Sequence, residues 1–306
     1  MISITALRKT YGAVTAVDGL TFDINKNEIF GLLGPNGAGK TTAINMICGL
    51  LPPSGGAIQF TGYKGKDPKS LIGYCPQENI FYPKLSCCEQ LVYIGQLYGI
   101  ATGAAKQRAL ELLTLMGLHD KRNEKAQRLS GGMKRRLNIC LALMHDPEIL
   151  ILDEPEAGLD PQSRILVRDF IQAFGRNKTV ILTTHNMDEA DRLADRIAII
   201  DYGKLLLIDT PQKLKKSIGE GTILEIVPDR ANATTLDQFA GNLAVISENI
   251  TKGANSVLVK HPEILEHLPA IKKIAEASGV KITEIKLREN TLEDVFIHLT
   301  GRNLRP

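Results

Sequence analysis

No pair of cysteines in this sequence stands at metal-binding or redox spacing. Cys48, Cys75, Cys87, Cys88 and Cys140 are odd in number and contain no C-x-x-C. They indicate neither a disulfide framework nor a zinc site, and a reducing compartment is the simplest expectation. Charge excess is missing too: 37 Lys and Arg stand against 34 Asp and Glu, a formal net charge of +3. That is too slight to argue for a nucleic-acid or anionic-membrane partner. Long apolar runs are also absent. The two longest uncharged stretches, 41–63 and 90–105, are broken by PPSGG and by repeated Gly and Gln, so no membrane-spanning helix is expected. The opening MISITALRKTYG lacks the charged-then-apolar layout of a signal peptide. If the protein works at a membrane, another protein is expected to cross it.

What is present suits a chain that buries a full core. At 306 residues, 43% hydrophobic and 23% charged, it fits one large domain and a smaller one. Residues 1–33 read as short alternating segments, ISITALRKTY, VTAVDGLTFDI and EIFGLLG, with turn signals between them. Strands and helices then alternate: helical TTAINMICGLL, strands AIQFTGY and LIGYCPQ, and a mostly helical stretch over 85–146. EILILDEP and TVILTTHN are short, continuously apolar runs, as buried parallel strands are. Together these predict an α/β layered core. IAIIDYGKLLLIDT predicts a hairpin through Tyr202-Gly203.

Composition loosens at PQKLKKSIGEGT, which places a domain boundary near Gly219–Gly221. Beyond it the pattern predicts strand TILEIVP, helix TTLDQFAG, strands LAVISEN and NSVLVKH, helix PEILEHLPAIKKIAEASG and strand KITEIKLR. That βαββαβ order is the ferredoxin-like split motif. A last helix, TLEDVFIHLTG, opens on Thr291 with Glu293 and Asp294 behind it.

Three constellations carry chemistry. GPNGAGKT, residues 34–41, satisfies G-x-x-x-x-G-K-[ST] between an apolar strand and a helix. Its glycines let the backbone of Gly34, Pro35, Asn36, Gly37, Ala38 and Gly39 curl so that N–H groups face phosphate oxygens. The helix beginning at Lys40, Thr41 and Thr42 adds its positive end. Lys40 is expected to reach the β- and γ-phosphates and the Thr41 hydroxyl to ligate Mg²⁺. In ILILDEP, 149–155, a buried strand delivers two carboxylates to its C-terminal edge, where α/β sheets place ligands. Asp153 can hold Mg²⁺, directly or through water, and Glu154 can polarise a water for attack. RLSGGMKRR, 128–136, opens an amphipathic helix with Ser130 as N-cap and glycines at its mouth, a second anion site. Met133, Leu137, Leu141 and Met144 mark its buried face, with Lys134, Arg135 and Arg136 expected largely on the other.

The order Tyr11, GPNGAGKT, Gln77, LSGGM, ILILDEP, GLD (158–160) and His185 closely resembles the ATP-binding cassette family over about residues 2–219. The resemblance implies a P-loop NTPase core, residues 1–219, with an N-terminal antiparallel β subdomain and a helical subdomain at about 85–146. Residues 222–306 form the small α+β accessory domain. It further implies that Tyr11 stacks on adenine, that Gln77 links Mg²⁺ and the attacking water to a membrane partner, and that His185 contacts the γ-phosphate. Asp160 would carry information across a dimer interface. Ser130, Gly131 and Gly132 of one subunit would close over ATP held by the other, so ATP and Mg²⁺ are the expected ligands and a homodimer, or a pair with a closely related second subunit, the expected assembly.

Two departures stand out, Met133 for the commoner glutamine and EAGLD for the commoner TSGLD; neither touches the backbone groups that hold phosphate. Soluble relatives acting on nucleic acid or the ribosome compete poorly. Only ninety positions separate Lys40 from Ser130, with no sustained heptads, and the chain has one cassette rather than two. A phosphate-loop kinase would not need LSGG or His185. TLEDVFIHLTG with SGGMKRRL is similar to the bacterial branch that exports drugs, lipids and polymers. An ATPase on the cytoplasmic face of the membrane, driving a separate integral permease and binding no nucleic acid, is expected. The charge-poor 85–105 region is the expected docking surface for that permease, and the C-terminal domain is expected to dimerise or regulate.

Overall fold

The computed structural model describes residues 1–62, 68–218, 222–229, 233–253 and 255–301. These form two compact units, one built on Met1–Pro211 and one that begins at Gln212. The boundary expected at Gly219–Gly221 lies outside the described residues.

In the first unit the elements run β1 (Ile2–Tyr11), β2 (Val14–Ile24), β3 (Ile29–Leu33), α1 (Lys40–Ile47), β4 (Gly55–Phe60), α2 (Pro68–Leu71) and β5 (Ile72–Cys75). They continue with α3 (Cys87–Leu97), α4 (Thr102–Leu115), α5 (Gly131–Leu143), β6 (Ile149–Asp153), α6 (Pro161–Gly175), β7 (Thr179–Thr184), α7 (Met187–Leu193), β8 (Arg196–Asp201) and β9 (Lys204–Asp209). Strands β5-β6-β7-β3-β8-β9 make one sheet, parallel except for β9. Every residue of β3, β6 and β7 is buried, as expected of parallel strands covered on both faces. Strands β2-β1-β4 form a separate antiparallel sheet.

Parallel register sets the site. Leu33 lies opposite Thr184, Asp153 opposite Thr183 and Cys75 opposite Leu152. The segments leaving β3, β5, β6 and β7 therefore start from one edge of the sheet, and Gly34, Gln77, Glu154 and His185 come off that edge. The β8–β9 hairpin turns through Tyr202 and Gly203, both at positive φ of 47° and 75°; a two-residue turn of this kind matches the twist of its strands.

The second unit contains α8 (Pro211–Ser217, which straddles the division), β10 (Thr222–Pro228), α9 (Ala233–Asn242), β11 (Ile250–Lys252), β12 (Val257–His261), α10 (Leu268–Ala277), β13 (Ile282–Arg288) and α11 (Leu292–Thr300). Its antiparallel sheet has the order β11-β12-β10-β13, the split βαβ arrangement. Leu224, Ile226, Phe239, Leu243, Val257, Val259 and Ile271 form its core. Two expectations need correction. LAVISEN is not a strand: Leu243–Val245 make a 3₁₀ turn and β11 starts only at Ile250. Leu243, four positions after Phe239, continues the buried face of α9, whereas Val245 is 83% exposed. The helix expected from Pro262 begins at Leu268, with Pro269 in its first turn where a missing N–H costs nothing. Thr291 caps α11 as expected, in a reciprocal capping box with Asp294.

Candidate functional site

The segment between β3 and α1 is shaped by what cannot fit there. A Cβ on Gly34 would stand 2.3 Å from the Ile200 carbonyl oxygen, and one on Gly39, at φ 99°, would stand 2.4 Å from that of Ala16. Both positions exclude any side chain. From behind, the Gly203 N–H donates to the Ala38 carbonyl at 2.9 Å, and the Asp18 N–H to the Gly203 carbonyl at 2.8 Å. A cleft of about 350 Å³ results, lined by Ala16, Asn36, Gly37, Ala38, Gly39, Lys40, Thr41, Thr42, Gln77 and Glu154.

Lys40 is buried and donates to the carbonyls of Gly34 (2.7 Å) and Pro35 (3.1 Å). Burial lowers its pKa, against the opposing pull of Glu154, Asp153 and Glu156. Three side chains from three different segments converge on Glu154. Lys40 Nζ lies 3.8 Å from Oε1, His185 Nδ1 3.0 Å from the same oxygen, and Gln77 Nε2 donates to Oε2 at 3.0 Å. Glu154 itself is left-handed, φ 49°, an uncommon conformation for glutamate. Its N–H donates to both the carbonyl (3.1 Å) and the hydroxyl (3.0 Å) of Thr183, which holds the residue in that conformation.

Asp153 is buried, and Oδ1 accepts from the Thr183 hydroxyl. Oδ2 is buried with no hydrogen-bond partner among the described residues. A buried carboxylate oxygen left open is costly unless a cation or water meets it, and with the Thr41 hydroxyl in the cleft the donor set fits Mg²⁺. No cluster of three or more His, Cys, Asp or Glu occurs among the described residues; Mg²⁺ at a phosphate site needs only one or two side chains beside the phosphate oxygens.

Other expected site residues lie elsewhere. Tyr11 ends β1, half-exposed, with Lys9 Nζ 5.4 Å from its ring centroid, and does not line the cleft. Ser130 caps α5, its hydroxyl accepting from the Met133 N–H at 3.3 Å. Ser130 and Gly131 are exposed. A Cβ on Gly132 would come within 3.1 Å of Ser163 Oγ and 3.2 Å of Asp160 Oδ2. Its absence lets α5 start against Asp160, which caps α6 through Ser163.

Arg135 corrects an expectation and adds a residue. Instead of facing solvent it is buried, donating to the carbonyls of Pro155 (3.3 Å), Gln77 (3.2 Å), Pro76 and Asp153. One guanidinium thus ties the α5 helix to the segments carrying Gln77, Asp153 and Glu154. Buried Asn138, three positions on, bonds the Glu78 carbonyl and Asn79; the i, i+3 polar pair was the available signal of an inward polar stripe. Glu156, in the EAGLD departure, accepts from the hydroxyl of Thr184, the neighbour of His185. Burial raises its pKa, with Glu189 and Glu154 adding to the rise.

A family profile described as "ABC transporter" matches residues 17–157, and one described as "ATP-binding protein DrrA1-3-like, C-terminal domain" matches residues 210–300. The chain is 39% identical to the linearmycin resistance ATP-binding protein LnrL of Bacillus subtilis, covering 100% of both chains. It is 33% identical to the Nod factor export ATP-binding protein I of Cupriavidus pinatubonensis, covering 100% of this chain and 92% of that protein. Among solved structures, an ATP-binding subunit of an ABC transporter superposes with a TM-score of 0.65 at 27% identity, over 71% of this chain and 93% of the other. The dimeric bacterial ABC transporter cassette MJ0796 gives 0.63 at 25% identity, over 69% and 98%.

Proposed function

The chain belongs to the ABC transporter family as an export-type subunit that binds and hydrolyses ATP, and we propose that it works as a pair around ATP to drive a separate integral membrane permease. The observation that carries the site assignment is the convergence of Lys40, Gln77 and His185 on Glu154 at the mouth of the phosphate cleft. Lys40 exchanges its bonds to the Gly34 and Pro35 carbonyls for the β- and γ-phosphates. Glu154 accepts the proton of the attacking water. His185 and Gln77, each already bonded to a different oxygen of that carboxylate, hold it in orientation and release it as the γ-phosphate arrives. Thr41, Asp153 and Gln77 hold Mg²⁺, which supplies charge neutralisation on the phosphate oxygens.

Ser130, Gly131 and Gly132 act on the ATP of the second subunit, a copy of this chain or a closely related one, while Tyr11 stacks on the adenine of its own. ATP is then the ligand that favours the closed pair, and its cleavage removes that preference. The permease docks in a groove of about 600 Å³ lined by Ile80, Phe81, Tyr82, Ile94, Tyr98 and His145, among others; Ile80, Tyr82 and Tyr98 are exposed there. The expected docking region at 85–105 supplies part of this groove through Ile94 and Tyr98. No helix among the described residues is long and apolar enough to cross a membrane; the place proposed for the subunit is the cytoplasmic face, held there by the permease. The nucleic-acid and ribosome reading is not favoured, since the relatives are named for resistance and export.

The test is Glu154→Gln. It keeps the size and the acceptor for Gln77 but cannot take a proton, so phosphate release falls by about 10²–10⁴-fold while Mg-ATP still drives a dimer seen by sizing. A variant that hydrolyses ATP at the wild-type rate, or never pairs with ATP, sinks the assignment.

A further inference from the structure

The second unit presents one long open strand edge. β13 is bonded to β10 on one side and, among the described residues, to nothing on the other. The opposite edge of that sheet, β11, is only three residues long. Natural edges are usually kept short or guarded, because a free edge invites pairing; β13 is seven residues long.

Its charged residues, Glu284, Lys286 and Arg288, alternate with apolar ones that are left open. Ile285 and Leu287 lie opposite Ile226 and Leu224, and those two are core residues beneath the helices. Ile285 and Leu287 therefore point to the same face of the sheet, but they are 45% and 47% exposed. Between Ile285 and α10 runs a groove of about 730 Å³, lined by Leu268, Lys272, Ala275, Ile282 and Ile285 among others, with Leu287 outside it. Glu284 and Lys286 point to the other face, both about half exposed, with their charged groups 3.2 Å apart.

We propose that β13 pairs antiparallel with β13 of a second copy of this chain, about a two-fold axis through Ile285. The strand's own sequence selects this occupant. With Ile285 opposite itself, each Glu284 stands opposite the partner copy's Lys286, so two opposite-charge pairs form at once, and Thr283 meets Leu287. A shift that centres the axis on Glu284 or on Lys286 sets like charges directly against each other. A slip of one residue puts apolar side chains of one strand opposite polar ones of the other. Of the registers centred on Glu284, Ile285 and Lys286, only the one through Ile285 sets no like charges against each other, although it faces Ile282 with Arg288 and Thr283 with Leu287; an isologous two-fold contact uses the same strand on both sides. The result is one eight-stranded sheet, with the exposed Ile285 and Leu287 of both copies brought together on one face.

The experiment uses the full chain without nucleotide, so that ATP-driven closure plays no part, and reads association by analytical ultracentrifugation. Cross-strand charge pairs are worth a few tenths to about 1 kcal/mol each, and like charges cost similar amounts. Glu284→Lys alone, or Lys286→Glu alone, turns both pairs repulsive and weakens the dimer roughly tenfold or more. The double variant Glu284→Lys/Lys286→Glu restores the wild-type constant to within about threefold. Ile285→Cys gives a covalent dimer under mild oxidation that the wild-type chain, whose five cysteines all lie between residues 48 and 140, does not form. Circular dichroism confirms that each variant is folded. A wild-type chain that stays monomeric to about 100 μM, a double variant no tighter than the singles, or a folded Ile285→Cys that does not cross-link overturns the proposal.

Discussion

Replacing Arg135 with alanine removes a buried cation that does not line the phosphate cleft. Its guanidinium meets the carbonyls of Pro76, Gln77, Asp153 and Pro155, so the substitution strands four acceptors in a buried place. An unsatisfied buried group costs about 1–3 kcal/mol, and hydrogen bonds to a charged group are worth about 1.5–3 kcal/mol each. The space vacated by an arginine side chain admits water, which recovers part of this. The net loss should be about 3–5 kcal/mol, similar to leaving half of a buried ion pair. For a unit of some 150–250 residues each kcal/mol moves Tm by about 2–4 °C, so Tm falls by about 6–20 °C. Arg135→Lys, with three donors on a compact head, keeps roughly half of the loss at bay. Hydrolysis should suffer in kcat more than in ATP affinity, because Arg135 braces Gln77 and the Asp153–Glu154 strand end and makes no contact with the phosphate loop. Calorimetry and a phosphate-release assay read both quantities. A fall in Tm below about 2 °C with unchanged kcat would refute the bracing argument.

Two further outcomes follow from side chains already placed. Glu156 has a raised pKa, chiefly through burial, so the folded chain holds its proton more tightly than the unfolded one. That contribution is full below the ordinary carboxylate range and is lost as pH rises through the folded value. Glu156→Gln, which still accepts from Thr184, should therefore gain stability over wild type, and the gap in Tm should widen from about pH 5 to about pH 8; a gap that narrows over that range contradicts the reading. In the docking groove, Ile80→Glu alters an exposed residue and should leave ATP-driven pairing intact while releasing the chain from the membrane fraction of its native cells. Unchanged retention there would rule out this groove as the permease contact.

Local features of the site were legible in the sequence because they depend on local chemistry. The Gly34–Thr41 loop needs glycines where backbone meets backbone, and the continuously apolar runs of β6 and β7 suit strands covered on both faces, whereas β3, read as an alternating segment, is buried throughout. Tyr202-Gly203 carries its turn type in two residues. What stayed hidden depends on residues far apart in sequence. Arg135 looks like one more charge on a solvated helix face until the Pro76 and Asp153 carbonyls are brought beside it. The left-handed backbone of Glu154 follows from its bonds to Thr183, 29 positions on. LAVISEN is apolar and β-branched enough to be a strand, yet Leu243 is drawn into the core beside Phe239 and the strand starts later. The convergence on Glu154 needed only the sheet register, which the order of apolar runs implies but does not state.

The hairpin turn at Gly203 has a bearing on how the nucleotide site comes into being. Every residue of the phosphate-loop motif has been synthesised once Thr41 is made, yet the backbone that holds Ala38 from behind is synthesised more than 160 positions later. Until β8 and β9 close, the loop lacks the Ile200 and Gly203 backbone behind it and has only that of Ala16. Nucleotide binding is thus tied to near-completion of the first unit, and a nascent chain cannot capture ATP on the strength of its motif alone.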